Sequence, residues 1–162
     1  MNLVRVGFGY DVHRFIQGRA LIMGGLDIPF DRGLQGHSDA DVLAHAIMDG
    51  ILGALAEGDI GTHFPDNDPA YKDIESLVIL ERVVELMKNR GFRINNLDNT
   101  IVAEEPKFAP HIPAMKENLS RVLGMDSSRI NIKATTNEGM GFCGRGEGIA
   151  AYSIVSLIRD DQ

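Results

Sequence analysis

Two histidines and one aspartate have the residue types and the spacing of a metal site. Asp11 and His13 lie two residues apart, and if their segment is a β-strand, both side chains point to the same face. His45 follows in a segment with helical periodicity, so a neighbouring helix could supply a third ligand. Three protein ligands with one open position are typical of catalytic zinc. Spacing alone leaves an alternative open, in which Asp11 and His13 form a surface pair and His45 is a structural helix histidine.

A second group of oxygen-bearing side chains follows a predicted strand near residue 135. Thr135 and Thr136 carry hydroxyls that can donate to a phosphate oxygen, and Glu138 could bind a hard cation such as Mg²⁺. Magnesium commonly takes one or two carboxylates and completes its shell with water and substrate phosphates. A capping threonine beside a solvated glutamate is the structural alternative for the same residues.

The segment 139–148 is rich in glycine, with five glycines in ten residues. Glycine lets a backbone approach a ligand closely, and backbone amides in such loops can cradle phosphate. The spacing matches neither a P-loop nor a dinucleotide-binding fingerprint, so an ordinary glycine-rich turn stays an open alternative.

Four other reactive side chains receive weaker interpretations. Lys107, between two prolines, faces either a ligand or solvent. His63 and His111 have no ligand partner at a useful spacing, so we interpret them as structural. Cys143 has no base beside it in the sequence and is interpreted as a packed thiol.

Composition limits the possible classes of function. A chain of 162 residues favours a single domain, here residues 1–162. The net charge is −7 and no basic run is present, which argues against nucleic-acid binding. One cysteine excludes an intrachain disulfide. No segment approaches the roughly 20 apolar residues of a membrane span, and the N-terminus has no signal-peptide pattern. We therefore expect a cytoplasmic protein with no membrane partner.

The elements that must position these side chains follow from the hydrophobic periodicity. Leu3–His13 reads as a strand, and Leu21–Phe30 reads as a hairpin with its turn at or beside Gly24 and Gly25. A helix should then begin with Ser38 as its N-cap. On that helix Asp41, His45 and Asp49 share one stripe, so either aspartate could accept a hydrogen bond from a ligand imidazole.

In the rest of the chain, predicted helices and strands do not alternate regularly. The first predicted elements are a helix over Asp73–Asn89, a strand over Phe92–Ala103 and a helix that ends near Leu123, before Gly124. A half-buried strand follows, with Ile130, Ile132 and Ala134 facing the core. The closing strand covers Ile149–Ile158, where a helix is the alternative. This order predicts an α+β fold, in which a mixed β-sheet carries helices on one face and a β-hairpin is added.

Together these segments resemble one family over essentially the whole chain, the 2-C-methyl-D-erythritol 2,4-cyclodiphosphate synthases of the non-mevalonate isoprenoid pathway. The matching segments are Gly7–His13, Gly36–Ala46, Gly58–Asp66, Glu105–Lys107 with Pro110–Pro113, Lys133–Glu138 and Gly141–Gly148. Phe108 and Asn137 differ from the residues often found at their positions in this family. No nucleotidyltransferase pattern is attached, so the monofunctional form is expected.

The resemblance implies a reaction. The substrate would be 4-diphosphocytidyl-2-C-methyl-D-erythritol 2-phosphate, whose 2-phosphate oxygen attacks the β-phosphorus while CMP leaves. Such a reaction is phosphoryl transfer within one bound molecule, so the enzyme mainly positions the reacting groups and neutralises developing charge.

The resemblance also implies roles for individual residues. Asp11, His13 and His45 would bind Zn²⁺, whose open position takes a β-phosphate oxygen, and Glu138 would bind Mg²⁺ or Mn²⁺ that bridges the phosphates. His37 and Thr136 would be catalytic, polarising the phosphates. The substrate-binding set would be Asp11, His13, His37, Ser38, Asp59, Ile60, Gly61, Asp66, Ala103, Glu104, Glu105, Pro106, Lys107, Phe108, Ala109, Thr135, Thr136, Asn137, Glu138, Phe142 and Arg145. In that set Asp59 would bind the methylerythritol hydroxyls, and the 103–109 loop would take the cytidine, largely through its backbone.

Finally, the resemblance implies a homotrimer whose active sites lie between chains. Its three-fold axis would enclose a cavity lined by Phe142, Arg145 and Glu147, where we hypothesise that an isoprenoid diphosphate binds with its phosphates on Arg145. The alternative is that Arg145 and Glu147 pair with each other to close the trimer. Two rival functions stay open: a zinc-dependent phosphohydrolase and a non-catalytic, trimeric isoprenoid-diphosphate binder.

Overall fold

The computed structural model describes residues 3–65 and 69–159. Its elements are β1 (Val4–Ile16), β2 (Leu21–Met23), β3 (Leu26–Ile28), β4 (Gly33–Leu34), α1 (Val42–Leu55), α2 (Ile60–His63), α3 (Ser76–Asn89), β5 (Phe92–Val102), α4 (Ile112–Leu123), β6 (Ile130–Thr135), α5 (Gly141–Gly144) and β7 (Gly148–Arg159). Short 3₁₀ turns cover residues 69–71, 109–111 and 127–129.

The described strands form a mixed sheet and a separate hairpin. The sheet has the order β4-β1-β7-β5-β6, and all its neighbours are antiparallel except the parallel pair β5 and β6. Strands β2 and β3 form the hairpin, with Gly24 and Gly25 at its turn. The predicted α+β class with a mixed sheet and a hairpin is therefore confirmed. The last segment is a strand, so the helical alternative for residues 149–158 is excluded.

Helices cover one face of this sheet, and α1 lies directly on β1. A Cβ atom added to Gly9 would lie 1.8 Å from the carbonyl oxygen of Ala46, and one added to Gly7 would lie 1.9 Å from that of Gly50. Only a residue without a side chain permits this approach of two backbones. The glycines of β1 thus bring α1, which carries His45, against the strand that carries Asp11 and His13.

The start of α1 differs from the prediction. Its N-cap is Asp41, whose carboxylate accepts a hydrogen bond from the amide of Ala44 at 3.0 Å. Ser38 instead accepts from the amide of Ala40 at 3.2 Å, inside a turn that precedes the helix. Ala40 has φ +58°, a left-handed conformation that a continuing helix does not contain, so the predicted Ser38 cap was wrong.

The structure also differs from the sequence-based predictions at three smaller points. Helix α3 begins at Ser76 rather than Asp73, because Asp73 has φ +57°. Ala134 was expected to be buried in β6 but is exposed. The one-turn helices α2, inside the matching segment Gly58–Asp66, and α5, inside the glycine-rich segment, were not indicated by any periodicity.

None of the described helices combines the length and the apolar character that crossing a membrane requires.

Candidate metal centre and active site

Three donor atoms converge where β1 meets α1. Asp11 Oδ2 lies 2.9 Å from His13 Nε2 and 3.0 Å from His45 Nδ1, and the two nitrogens are 3.2 Å apart. In a tetrahedral zinc site with bonds of about 2.0–2.2 Å, two donors are separated by roughly 3.3–3.5 Å. The observed separations are slightly shorter than this range, so a small outward shift would let the three donors bind one divalent metal ion. The three residues predicted from the sequence thus form a possible metal site.

Hydrogen bonds outside the cluster fix how His13 presents its ring. Its Nδ1 lies 2.6 Å from the carbonyl oxygen of Gln35. A carbonyl only accepts, so Nδ1 carries a proton, and in the neutral ring Nε2 presents a lone pair toward Asp11. A carboxylate oxygen and an imidazole lone pair that face each other repel unless a cation or a proton lies between them.

The electrostatics of Asp11 also favour a bound cation at this cluster. Burial disfavours its ionised form, but the two adjacent imidazoles of His13 and His45 outweigh burial and lower the pKa of Asp11 well below its ordinary value. The carboxylate is therefore anionic at neutral pH, as a metal ligand must be.

The aspartates expected to support the ligand imidazoles have other partners, so that prediction was wrong. Asp41 is fully buried and accepts hydrogen bonds from the amides of Gly24, Gly25 and Ala44. Asp49 accepts from the amide of Ile60 at 2.8 Å. Burial raises the pKa of both carboxyl groups.

A cavity of about 190 Å³ opens beside the donor cluster. Its lining residues are Asp11, His13, Gly36, His37, Ser38, His45, Ile60, Gly61, Phe64, Tyr71 and Ile79. The structure thus brings His37, Ser38, Ile60 and Gly61, all predicted to bind substrate, to the same cavity as the cluster. The lining combines polar side chains with the aromatic rings of Phe64 and Tyr71, so the cavity can contact both polar and apolar parts of a ligand.

Arg19 holds the loop that carries His37, and this residue was not identified from the sequence. Its guanidinium donates to the carbonyl oxygen of Gly36 at 2.6 Å and to that of Ser38. Both residues adjoin His37, so one side chain clamps the backbone on either side of a candidate catalytic residue. No spacing rule links residue 19 to residues 36 and 38.

Asp59 lies at the start of α2, beside the cavity. Its carboxylate caps this helix by accepting from the amide and the hydroxyl of Thr62, each at 2.8 Å. The Thr62 hydroxyl is the main cause that lowers the pKa of Asp59. Asp59 is exposed and does not line the cavity, and Asp66 lies outside the described residues.

A second cavity, of about 310 Å³, is lined by five of the seven residues of the 103–109 loop predicted to take the cytidine; Glu104 and Glu105 do not line it. Its lining residues are Ala103, Pro106, Lys107, Phe108, Ala109, Ala134, Thr135 and Thr136. Only 2% of Phe108 is exposed, so its ring belongs to the core. Glu104 ties this loop to the next one by accepting from the amides of Asn137 at 2.8 Å and Gly139 at 3.3 Å. Among the described residues, the two cavities share no lining residue.

Glu105 and Glu138 lie apart from the donor cluster. Glu105 borders a groove that also contains Arg32, Lys107 and Arg145. Glu138 is exposed, has φ +53°, and its Oε1 lies 3.4 Å from the hydroxyl of Thr136. Neither glutamate lines the first cavity.

The glycine-rich segment carries an ion pair and a buried thiol. Arg145 Nε donates to Glu147 Oε1 at 2.6 Å, so the predicted alternative pairing is present within one chain. Phe142 and Glu147 border a cavity of about 280 Å³ together with Val12, His13, Arg14 and Gly148. Burial raises the pKa of the Cys143 thiol, which agrees with its interpretation as a packed residue.

Comparison with known proteins decides the family. The YgbB family model matches residues 4–158 of the chain. A 2-C-methyl-D-erythritol 2,4-cyclodiphosphate synthase of Geotalea uraniireducens is 62% identical over 156 residues, which cover 96% of this chain and 99% of that relative. The chain belongs to the 2-C-methyl-D-erythritol 2,4-cyclodiphosphate synthase family.

Solved structures of the family share the fold. The CDP complex of IspF from Plasmodium falciparum is similar with a TM-score of 0.86 and 33% identity, over 99% of each chain. The bifunctional IspDF of Campylobacter jejuni reaches a TM-score of 0.95 at 41% identity, over 98% of this chain and 43% of that longer one.

Proposed function

We propose that this member of the synthase family converts 4-diphosphocytidyl-2-C-methyl-D-erythritol 2-phosphate into 2-C-methyl-D-erythritol 2,4-cyclodiphosphate and CMP. An oxygen of the 2-phosphate forms a bond to the β-phosphorus, and the bond from that phosphorus to the bridging oxygen of the α-phosphate breaks. The electron pair of the broken bond leaves with CMP. Atoms balance without water, so the enzyme is a cyclising lyase rather than a hydrolase.

The observation that carries this proposal is the placement of the Asp11, His13 and His45 donors at the edge of the first cavity, beside His37. A metal ion and an imidazole that border one small cavity can both contact the phosphates of a single substrate. Intramolecular transfer needs such convergent positioning more than it needs a strong nucleophile.

We assign Zn²⁺ to this donor set, because two imidazole nitrogens and one carboxylate suit zinc better than magnesium. When bound, the ion would supply Lewis-acid polarisation and a template for a β-phosphate oxygen. The chain's own contribution is to hold the three donors in place through the contact between β1 and α1.

Other side chains around the phosphates have separate roles in the proposal. His37 and Thr136 polarise phosphate oxygens near the transition state, and Glu138 would hold Mg²⁺ or Mn²⁺. Ser38, Ile60 and Gly61 surround the erythritol phosphate, while Asp59 accepts hydrogen bonds from its hydroxyls. The second cavity takes the cytidine, and the existence of a CDP complex of the IspF relative supports a cytidine nucleotide as the ligand.

We infer a homotrimer with the active site between copies. The two cavities are separate in one chain, yet a single nucleotide substrate must reach both of them. On the face of the sheet away from the helices, β1 and β7 expose a continuous apolar patch, hereafter the sheet patch, formed by Val4, Val6, Phe8, Tyr10, Val12, Tyr152 and Ile154. A patch of this kind on a soluble chain is typical of an interface, and further copies of the chain would cover it.

An isoprenoid diphosphate on the three-fold axis remains part of the proposal. Phe142 would offer an apolar wall and Arg145 would meet the phosphates, although Glu147 competes for the same guanidinium. Calorimetric titration of geranyl diphosphate into wild type and Arg145→Ala tests this role, with the trimer checked in both. Loss of affinity in the variant supports it, and equal affinity leaves Arg145 only its pairing with Glu147.

Product analysis separates the proposed function from its rivals. Purified chain is incubated with the substrate and metal ions, and the products are identified by ³¹P NMR and mass spectrometry. The proposal expects CMP and a cyclic diphosphate in equal amounts. CMP with an open-chain product would indicate a phosphohydrolase, and no turnover by a folded, trimeric preparation would indicate a binding protein.

A further inference from the structure

The outer edge of His45 faces a pair of buried hydroxyls. Its Nε2, the ring nitrogen away from the donor cluster, lies 3.0 Å from Ser76 Oγ and 3.2 Å from Ser38 Oγ. Ser76 has no exposed surface and Ser38 is 7% exposed. A hydroxyl can either donate or accept, so these two contacts alone leave the protonation of the ring undecided.

A carboxylate decides the direction of this hydrogen-bond chain. Asp39 Oδ1 accepts the hydroxyl proton of Ser76, and Asp39 Oδ2 lies 3.1 Å from the amide of the same residue, which donates to it. Since a carboxylate only accepts, the single proton of Ser76 is committed to Asp39. The oxygen of Ser76, 3.0 Å from Nε2, then has only a lone pair to offer His45, which places the His45 proton on Nε2. The Ser38 hydroxyl, 3.3 Å from Ser76 Oγ, can donate to that same oxygen.

The consequence appears on the other side of the ring. With Nε2 protonated, His45 Nδ1 presents a lone pair, and this atom lies 3.0 Å from Asp11 Oδ2 and 3.2 Å from His13 Nε2. The opposite tautomer would put a proton where a cation has to bind. Asp39 and Ser76 are 37 residues apart in sequence, so the arrangement joins the loop before α1 to the first residue of α3.

We propose that Asp39 and Ser76 are positioning residues that hold His45 in the tautomer and orientation needed to ligate the metal ion. The inference rests on the proposed zinc site and deepens it. Neither residue touches the cavity, and neither was among the candidate residues predicted from the sequence. Partners of this kind typically change metal affinity by about 10- to 100-fold when removed.

The test compares three variants of the full-length protein by the transfer of zinc to a chromophoric chelator. Ser76→Ala removes the acceptor for His45. Asp39→Asn can donate its amide proton to Ser76, which turns the Ser76 hydroxyl toward His45 and favours the wrong tautomer, as a carboxylate-to-amide change does in a catalytic triad. Ser153→Ala is the matched control, because Ser153 is equally buried but lies opposite Asn99 in the sheet.

We expect Ser76→Ala and Asp39→Asn to weaken zinc binding at least about tenfold, and Ser153→Ala to stay within twofold of wild type. Zinc binding within twofold of wild type in either test variant would overturn the proposal. A direct measurement needs no variant: ¹⁵N NMR of histidine-labelled wild type should report a protonated Nε2 for His45, and a protonated Nδ1 in zinc-free protein would also overturn it. Failure of wild type itself to bind zinc would instead contradict the metal site.

Discussion

Replacing Gly9 by alanine should disrupt the metal site through the backbone, without touching any ligand. The added Cβ would lie 1.8 Å from the carbonyl oxygen of Ala46, next to His45 on α1. A carbon and an oxygen in contact need about 3.2 Å, so β1 and α1 would have to separate by roughly 1.4 Å.

The magnitude follows from that displacement. Transmitted to His45, it would lengthen the 3.0 Å separation between Nδ1 and Asp11 Oδ2 beyond the roughly 3.5 Å that two donors on one zinc ion can span. Overpacking of this kind costs about 1–3 kcal/mol, and about 2 kcal/mol lowers Tm by roughly 4–8 °C in a chain of this size.

Gly53→Ala provides the matched control on the same helix. Gly53 is exposed, and the nearest atom to an added Cβ is the carbonyl oxygen of Phe8 at 3.9 Å. Alanine stabilises an exposed helix position by about 0.5–1 kcal/mol relative to glycine, so Tm should stay constant or rise slightly.

Thermal unfolding and zinc transfer to a chelator measure the two effects on the same samples. Gly9→Ala should lose both stability and zinc affinity, while Gly53→Ala should lose neither. If Gly9→Ala melted and bound zinc like Gly53→Ala, the contact between β1 and α1 would not be what positions His45, and the reasoning would be refuted.

Three further predictions test other parts of the account. Arg19→Ala should lower kcat/KM about tenfold by loosening the backbone around His37, whereas Arg121→Ala, at an exposed position of α4, should not. Equal activity of the two variants would show that Arg19 does not support the site. Val6→Glu in the sheet patch should dissociate the proposed trimer in light-scattering measurements, whereas Val78→Glu, the same change at an exposed position of α3, should leave it assembled. A trimeric Val6→Glu protein would rule out this interface. Burial raises the folded-state pKa of Asp49, so ionisation of this carboxyl destabilises the fold above that pKa. Asp49→Asn should therefore raise Tm at pH 7, and the gain should shrink as pH falls through the raised pKa. A gain in Tm that does not change with pH would contradict this explanation.

Local patterns in the sequence predicted most of the elements because those patterns have local causes. Alternating residues made β1 recognisable, and their period of two put Asp11 and His13 on one face. Glycine marked the hairpin turn and the end of α4, where Gly124 has φ +63°. Helix starts were less predictable, since Ser38 and Asp41 are both good capping residues and only the backbone at Ala40 decides between them.

The remaining parts of the site depend on contacts between distant segments. Asp39 meets Ser76 across 37 residues, and Arg19 meets Ser38 across 19 residues, so no periodicity or motif encodes either contact. Helical spacing also gave the wrong hydrogen-bond partners for His45. Aspartates one helical turn away were expected, but Ser76 on another helix contacts the ring nitrogen Nε2. Such partners follow from packing rather than from sequence spacing.

Elemental analysis of purified protein tests the central claim most directly. Wild type should contain one zinc ion per chain, His45→Ala should contain little or none, and Glu138→Gln should keep its full zinc content while losing turnover. Full zinc occupancy in His45→Ala, or loss of zinc in Glu138→Gln, would contradict the assignment of Asp11, His13 and His45 as the zinc ligands.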